Sequence, residues 1–255
     1  MKLRVLGCSG GIGGRHLRTT SFLVDHDVLI DAGTGVAELS LYELAAIDHV
    51  FLTHAHLDHV LALPLMIDAV GSRRNQPVMV YAAAEVLDAL RQHIFNWAIW
   101  PDFSKLPDEA HPFVRFVPIE VGVAVSIGER KITALPVAHT VPAVGYCLDS
   151  GNGSLVFSGD TGPSLAFWQA VRNVPKLRYL LVECAFSNQE CNLAELSKHM
   201  CPRLLADELR RLNRPCELFI THLKSGDIEQ TMQEIESCLS DFSPEMLQNN
   251  QVFEF

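Results

Sequence analysis

The segment Thr53-His54-Ala55-His56-Leu57-Asp58-His59 decides the fold, because three imidazoles and a carboxylate fall within six consecutive positions. In an extended chain, His54 and His56 point the same way, so both can bind one ion. If the chain then turns into a helix, Asp58 and His59 present a different face to a second ion. Imidazole nitrogen and carboxylate oxygen together suit Zn²⁺, Mn²⁺ or Fe. A polar loop that opens a helix, with Asp58 favoured by the helix dipole, is the alternative, but the density of histidines favours a two-metal site.

Further metal-competent side chains stand where predicted strands end, as His54 does after the β-rich run His49–Thr53. They are Asp31 after Val28–Ile30, His139 after Lys131–Val137, Asp160 after Leu155–Phe157 and His222 after Glu217–Thr221. Side chains at the strand ends of a rigid scaffold converge on one rim. Helical patterns separate the strands, and one of them predicts a helix over Ala84–Trp100. The pattern indicates a single domain over residues 1–255, with two sheets between layers of helices.

The order His-x-His-x-Asp-His after a strand resembles the signature of the metallo-β-lactamase superfamily. The other expected blocks follow in order as Leu29–Gly33, Val137–His139, Phe157–Thr161 and Phe219–His222. The resemblance implies an α+β fold, a four-layer αββα sandwich, and a hydrolase that uses two divalent metal ions. Zn²⁺ is expected because imidazoles dominate, although Mn²⁺ or Fe would use the same ligands.

The same resemblance implies a ligand set for both ions. One ion is expected on His54, His56 and His139, the second on Asp58, His59 and His222, and Asp160 is expected to bridge them. Asp31 is expected to orient the ligand histidines through hydrogen bonds.

Within the superfamily, the Gly-rich turn Leu6–Gly14 and the run His54–Val60 are similar to class II cyclic-nucleotide phosphodiesterases and, more distantly, to ribonuclease Z. The chain departs from the phosphodiesterase signature at Ala62, where Gly or Ser is usual. Two further blocks, Leu181–Ser187 and Leu196–Pro202, also resemble the phosphodiesterase branch.

These blocks imply that Glu183 and His199 form a dyad in which His199 protonates the leaving oxygen, and they join Asp58 as the expected catalytic residues. The expected reaction is hydrolysis of a small phosphodiester, a 3′,5′-cyclic nucleotide, to a nucleoside 5′-monophosphate. Two ions about 3.5–4 Å apart lower the pKa of a shared water towards about 7, which gives a bridging hydroxide. Basic side chains available to anchor the phosphate are Arg15, Arg18, Arg73, Arg74 and Lys224.

Three alternatives remain open, and the first is a ribonuclease Z-like tRNA 3′ endonuclease. Such an enzyme usually carries a basic arm, whereas the corresponding insert Arg91–His111 is aromatic, with Arg91 and Lys105 as its two basic residues. Its aromatic side chains could stack on a base, close the site as a lid, or pack a loop or a dimer interface. The net charge of −10 makes long nucleic acid a less favourable partner. The other two alternatives are a lactone or thioester hydrolase on the same fold and a metal-stabilised binding protein.

Composition sets the broad class, since 48% of the 255 residues are hydrophobic and 20% are charged, as in ordinary globular domains. No apolar run approaches the roughly 18–20 residues of a membrane span, and Met1–Leu6 has no signal-peptide pattern. The seven cysteines are odd in number and form no Cys-x-x-Cys motif, which favours core positions over disulfides. We therefore expect a cytoplasmic protein, without a membrane partner and compatible with a homodimer.

Overall fold

Short β-rich runs and amphipathic helices alternate along the chain, and they build two sheets in the computed structural model, which describes residues 1–14 and 16–255. The strands are β1 (Lys2–Gly7), β2 (Ser21–Val24), β3 (Val28–Ile30), β4 (His49–Phe51), β5 (Val78–Ala82), β6 (Val114–Pro118), β7 (Ala124–Ile127), β8 (Arg130–Pro136), β9 (Val144–Asp149), β10 (Ser154–Phe157), β11 (Leu177–Glu183), β12 (Glu217–Thr221), β13 (Glu245–Met246) and β14 (Val252–Glu254). The α-helices are α1 (Leu41–Ala46), α2 (Leu57–Val60), α3 (Ala62–Val70), α4 (Ala84–His93), α5 (Leu165–Arg172), α6 (Cys191–Ser197), α7 (Pro202–Leu209) and α8 (Ile228–Cys238).

The two sheets pack face to face and each is covered by helices on its outer side. The strand order is β14-β1-β2-β3-β4-β5-β6 in the first sheet and β13-β12-β11-β10-β9-β8-β7 in the second. Large apolar side chains fill the space between them, and the rings of Phe22 and Phe157 meet edge to face at 4.9 Å. Helices α3 and α4 bury their apolar faces on the first sheet, and α5, α7 and α8 do so on the second. The predicted four-layer αββα sandwich is confirmed.

Parallel strand pairs bring the ends of several strands to one edge. In the first sheet, β3 and β4 are parallel, with Ile30 opposite Phe51. In the second sheet, β11 and β12 are parallel, with Glu183 opposite Thr221. Because parallel strands end at the same edge, the residues that follow β3, β4 and β12 reach a common rim together with the last residue of β11.

The sequence predicted most elements but extended one helix too far. The strands Val28–Ile30 and Glu217–Thr221 have the predicted bounds. The helix predicted over Ala84–Trp100 is wrong beyond His93, where α4 ends. Asn96 stops it, because its side-chain oxygen accepts hydrogen bonds from the N–H groups of Ala98 and Ile99 at 3.0 and 2.8 Å.

The cysteines differ in part from the expectation that all seven are free core residues. Cys147 and Cys184 are buried and free, as predicted. Cys191 and Cys201 instead form a disulfide, because α6 turns the chain back and leaves their Cα atoms 5.4 Å apart. Cys238 is exposed at the end of α8.

The two ends of the chain meet in the first sheet. Strands β1 and β14 pair antiparallel with Leu3 opposite Phe253, and the N-terminal amine donates to the carbonyl of Phe255 at 2.8 Å. From this closure and the shared core we infer that residues 1–255 act as one domain. Across residues 1–14 and 16–255, we find no helix whose length and apolar character would let it cross a lipid bilayer.

Arg130, at the start of β8, ties the second sheet to the first. Its two terminal nitrogens donate to the two carboxylate oxygens of Asp27, in the turn between β2 and β3, at 2.7 and 2.6 Å. These hydrogen bonds hold the pKa of Asp27 below its usual range. A bidentate pair of this kind has more specific geometry than an ordinary surface ion pair.

Replacement Arg130→Gln should lower the free energy of unfolding by about 1 kcal/mol at pH 7. Because the folded-state pKa of Asp27 is depressed, this contribution is present above the unfolded pKa of about 3.9 and is lost as the pH falls through the folded value. Urea unfolding should therefore show the same difference from wild type at pH 7 and pH 5, and a smaller one near pH 3.5. Arg210→Gln, which breaks an exposed pair with Asp207, is the control with little effect. A difference that does not shrink at low pH would contradict the assignment.

Candidate metal centre

The histidine-rich loop after β4 changes from an extended chain into a helix, as the sequence predicts. β4 ends at Phe51, and His56 has extended backbone angles, φ −66° and ψ 146°, immediately before α2 begins. Asp58 and His59 belong to α2 itself. Side chains on the extended stretch and on the helix therefore point in different directions.

Seven metal-competent side chains lie together at this rim, in two groups that share one carboxylate. The first group is His54, His56, His139 and Asp160, and the second is Asp58, His59, Asp160 and His222. Within each group the donor atoms lie within 4.8 Å of one another. His56 and Asp58 are half-buried and the other members are buried, so the groups open to solvent on one side.

Asp160 stands between the groups and directs one oxygen to each. Its Oδ2 lies 3.6 Å from Nε2 of His54 and 4.0 Å from Nε2 of His139. Its Oδ1 lies 3.3 Å from Nε2 of His59 and 3.3 Å from Nδ1 of His222. This is the arrangement that a carboxylate bridging two ions requires.

A buried relay of hydrogen bonds orients two of the histidines. His59 Nδ1 donates to Asp31 Oδ2 at 2.8 Å, and the hydroxyl of Thr53 donates to the same oxygen at 2.8 Å. His54 Nδ1 lies 3.0 Å from that hydroxyl and can donate to it. Both rings then present Nε2 to the centre, as metal-ligating histidines do. The orienting position of Asp31 matches the expectation, whereas the contribution of Thr53 was not predicted.

Several polar atoms at the centre are buried without a hydrogen-bond partner among residues 1–14 and 16–255. They are His54 Nε2, His59 Nε2, Asp160 Oδ1 and both ring nitrogens of His222. Buried polar atoms are nearly always paired in native proteins, so a cluster of unpaired ones needs an explanation. Lone pairs that converge from imidazoles and a carboxylate fit a divalent transition metal of the zinc type.

The imidazole pKa values favour the form that ligates metals. Burial lowers the pKa of His139 to about 4 and that of His222 to about 3, and burial also lowers the pKa of His54 and His56. These rings are therefore neutral at pH 7, with lone pairs available. His59 is the exception: burial lowers its pKa, but the carboxylates of Asp160 and Asp31 raise it well above the usual range. Burial opposes ionisation of Asp160, but the imidazoles around it, among them the hydrogen-bonded His59, more than offset this and hold its pKa well below the usual range.

Glu183 and His199 form a buried pair beside both groups. Glu183 Oε1 accepts hydrogen bonds from His199 Nδ1 at 2.7 Å and from the N–H of Thr161 at 2.8 Å. The ring centroid of His199 lies 5.0 Å from that of His139 and 5.4 Å from that of His222. Burial lowers the pKa of His199, but the Glu183 carboxylate raises it by more, so the pKa lies above its usual range. The structure thus brings together the two residues that the sequence paired.

Two glycines allow the backbone to approach the centre closely. A Cβ on Gly10 would lie 2.4 Å from the carbonyl oxygen of His222, and one on Gly33 would lie 2.4 Å from that of Asp58. The Gly-rich turn therefore packs directly against a metal-competent histidine. Ala62, the departure from the phosphodiesterase signature, is the first residue of α3 and packs in the apolar core against the first sheet.

The basic residues considered as phosphate anchors lie in different surroundings. Arg18 pairs with Glu38 at 3.0 Å, and Arg74 pairs with Asp48 on the first sheet. Lys224, two residues after His222, places its Nζ 5.9 Å from the ring centroid of Phe186, which in turn lies 5.7 Å from that of His199. Lys224 is therefore the anchor best placed for a substrate at the rim. Arg15 lies outside the described residues, and among those described Arg73 makes no side-chain hydrogen bond or ion pair at the rim.

The aromatic insert 91–111 packs mainly against its own sheet. Phe95 and Phe103 are buried in the core under the first sheet, with ring centroids 6.0 Å apart. Trp100 is half-buried against the same cluster, whereas Trp97 is 60% exposed. Loop packing, one of the uses left open by the sequence, is the one observed for most of these rings.

Comparison with known proteins gives a family and two kinds of relative. Residues 26–223 match the family described as "Beta-lactamase superfamily domain". The chain is 27% identical over 252 residues to a probable 3′,5′-cyclic-nucleotide phosphodiesterase of Yersinia pestis, a match that covers 82% of this chain and 71% of that protein. It is 30% identical over 156 residues to ribonuclease Z of Haloarcula marismortui, which covers 58% of this chain and about half, 47%, of that protein.

The fold has a counterpart among solved structures. The metallo-β-lactamase fold protein YhfI from Bacillus subtilis superposes with a TM-score of 0.79 at 21% identity, over 100% of this chain and 99% of that protein. The family match spans well over half of the chain. The chain therefore belongs to the β-lactamase superfamily and is a hydrolase with the metallo-β-lactamase fold.

Proposed function

We propose that this chain is a two-metal phosphodiesterase that hydrolyses a small phosphodiester, a 3′,5′-cyclic nucleotide, to a nucleoside 5′-monophosphate. The observation that carries the proposal is the buried Glu183–His199 pair beside the two groups of metal-competent side chains. Hydrolysis of a phosphodiester with an alkoxide leaving group needs an acid, and His199 is available as one. The phosphodiesterase relative supports the same substrate class.

In the proposed centre, His54, His56 and His139 would hold one ion, Asp58, His59 and His222 would hold the other, and Asp160 would serve both. Zn²⁺ is the proposed metal, because imidazoles dominate both groups. When bound, such a pair of ions activates a water as nucleophile and neutralises charge on the phosphoryl oxygens.

His199 supplies the proton for the leaving oxygen. Its Nδ1 is held by Glu183, so Nε2 is the nitrogen free to donate. Burial lowers the pKa of His199, but the Glu183 carboxylate raises it by more and so stabilises the protonated ring relative to a free imidazole. As the bond between phosphorus and the 3′-oxygen breaks, the proton passes from Nε2 to that oxygen. Lys224 is proposed to attract the anionic phosphodiester to the rim.

The surface around the centre supports a small substrate over tRNA. Phe95 and Phe103 are buried in the core and Trp100 packs against it, so most aromatic rings of the insert do not project as an arm. The chain also carries a net charge of −10, which disfavours a long polyanion. Because one relative is a ribonuclease Z, cleavage of tRNA is the result that would contradict this proposal.

Metal-free protein should bind two zinc ions per chain when titrated by calorimetry. Asp160→Ala removes a donor from both groups and should reduce the affinity for both ions by more than about 100-fold, beyond the usual effect of a residue that only orients a ligand. Asp68→Ala, on the exposed side of α3, is the matched control and should bind as the wild type does. A single ion per chain, or an Asp160→Ala variant that still binds two tightly, would contradict the bridging assignment.

The role of His199 should depend on the leaving group. His199→Ala should lower kcat on 3′,5′-cyclic AMP by about 10²- to 10⁴-fold, because the 3′-alkoxide needs a proton. On bis(p-nitrophenyl) phosphate, whose phenolate leaves without protonation, the same variant should lose far less activity. The exposed His111 provides the control, His111→Ala, with unchanged rates on both substrates.

The substrate class is tested by offering a tRNA precursor to the same metal-loaded protein. Cleavage of cyclic AMP and of the chromogenic diester, with the precursor untouched, is the expected result, and Asp160→Ala is the blank. Cleavage of the precursor alone would assign the ribonuclease Z activity. If His199→Ala lost the same share of activity on both diesters, the acid role of His199 would be contradicted, whereas the proposed metal centre would not.

A further inference from the structure

Lys198 makes two hydrogen bonds to His139 that run in opposite directions. His139 Nδ1 donates to the carbonyl oxygen of Lys198 at 3.2 Å, and Lys198 Nζ donates to the carbonyl oxygen of His139 at 2.9 Å. The two residues are 59 positions apart in sequence. One residue therefore holds both the ring and the backbone of a proposed metal ligand.

His139 needs such support, because no strand holds it. β8 ends at Pro136 and β9 begins at Val144, so His139 lies in the connection between them. Its neighbour Ala138 is held by the Thr161 hydroxyl at 3.0 Å. With Nδ1 engaged by Lys198, Nε2 of His139 faces the centre, 3.3 Å from Nδ1 of His56.

The backbone of Lys198 indicates that its side chain matters. Lys198 caps the C-terminus of α6 in the left-handed conformation, with φ 53° and ψ 52°. Gly or Asn is the residue that fits such a cap best. Gly162 also packs against it, since a Cβ there would lie 3.2 Å from the Lys198 Cα. A lysine at this position is less favourable for the helix cap than Asn, and its ammonium group is what reaches the backbone of His139.

We propose that Lys198 is a positioning residue that holds His139 for metal binding and, through the next residue, His199, fixes the distance between the metal centre and the proton donor. The inference rests on the metal centre of the proposed function. An opposing effect is the repulsion between the ammonium and a nearby cation, which would make removal of Lys198 tighten metal binding. Lys198 is exposed, so solvent screens this repulsion, whereas the hydrogen bond to His139 acts at contact distance.

The test measures zinc affinity by competition with a chelator on Lys198→Met and Lys198→Asn. Met keeps the length of the side chain and removes the ammonium, and Asn also removes it but suits the left-handed cap. Lys176→Met is the matched control, because Lys176 has φ 47° and its Nζ donates to the carbonyl of Gly151 at 2.7 Å, away from the centre.

Both Lys198 variants should bind one of the two ions about 10-fold more weakly, the usual effect of losing a partner that orients a ligand. The other ion, and the unfolding temperature of the metal-free protein, should match those of Lys176→Met. If Lys198→Met fails to fold, Lys198→Asn decides alone. Wild-type affinity or tighter binding in the variants overturns the inference and leaves the metal centre standing. A wild-type chain that binds neither ion overturns both.

Discussion

Asp160 carries a buried charge at the rim of the sandwich, and the groups around it have to stabilise that charge. An ionised carboxylate buried at 2% exposure is strongly unfavourable unless donors or opposite charge face it. Imidazoles surround both of its oxygens, but burial lowers the pKa of most of those rings and leaves them neutral. The protein alone therefore compensates the buried polar atoms of the rim incompletely, since several ring nitrogens and Asp160 Oδ1 stay unpaired within residues 1–14 and 16–255. We infer that the rim is built for cations that complete this compensation, while the apolar sandwich core stabilises the fold around it.

The topology explains how residues far apart in sequence meet at one place. Parallel pairing sets Glu183 level with Thr221, so His222 follows directly beside the Glu183–His199 pair. On the other sheet, parallel pairing of β3 with β4 brings Asp31 within hydrogen-bond distance of Thr53. Each sheet thus contributes one orienting carboxylate at the same edge. Glu183 ends β11 and His222 follows β12 directly, so these two groups are held by strands, which move less than loops do. This favours a fixed geometry over one assembled on binding.

The sequence predicted the parts of this arrangement that depend on local spacing. Alternation along an extended chain separated His54 and His56 from Asp58, and strand-end positions identified Asp160. Contacts that depend on tertiary packing were not predictable: the Thr53 hydroxyl relay and the Lys198 contacts join residues whose proximity no spacing rule gives. The helix predicted from Ala84 was too long because the apolar periodicity continues past His93, where the structure has a turn held by the side chain of Asn96. The disulfide between Cys191 and Cys201 likewise depends on how α6 turns the chain.

An acidic chain can bind an anionic substrate, because the electrostatic potential at the site depends mainly on the charges close to it. Surface charges are screened beyond about 8 Å at physiological ionic strength, so most of the acidic residues contribute little at the rim. Two divalent ions against the carboxylates of Asp58 and Asp160 would leave the centre positive, and Lys224 adds to it. A single phosphodiester experiences mainly this positive region. A long nucleic acid extends over the surrounding surface, where the net charge of −10 repels it. We therefore propose that the charge distribution favours small phosphodiesters over long nucleic acids.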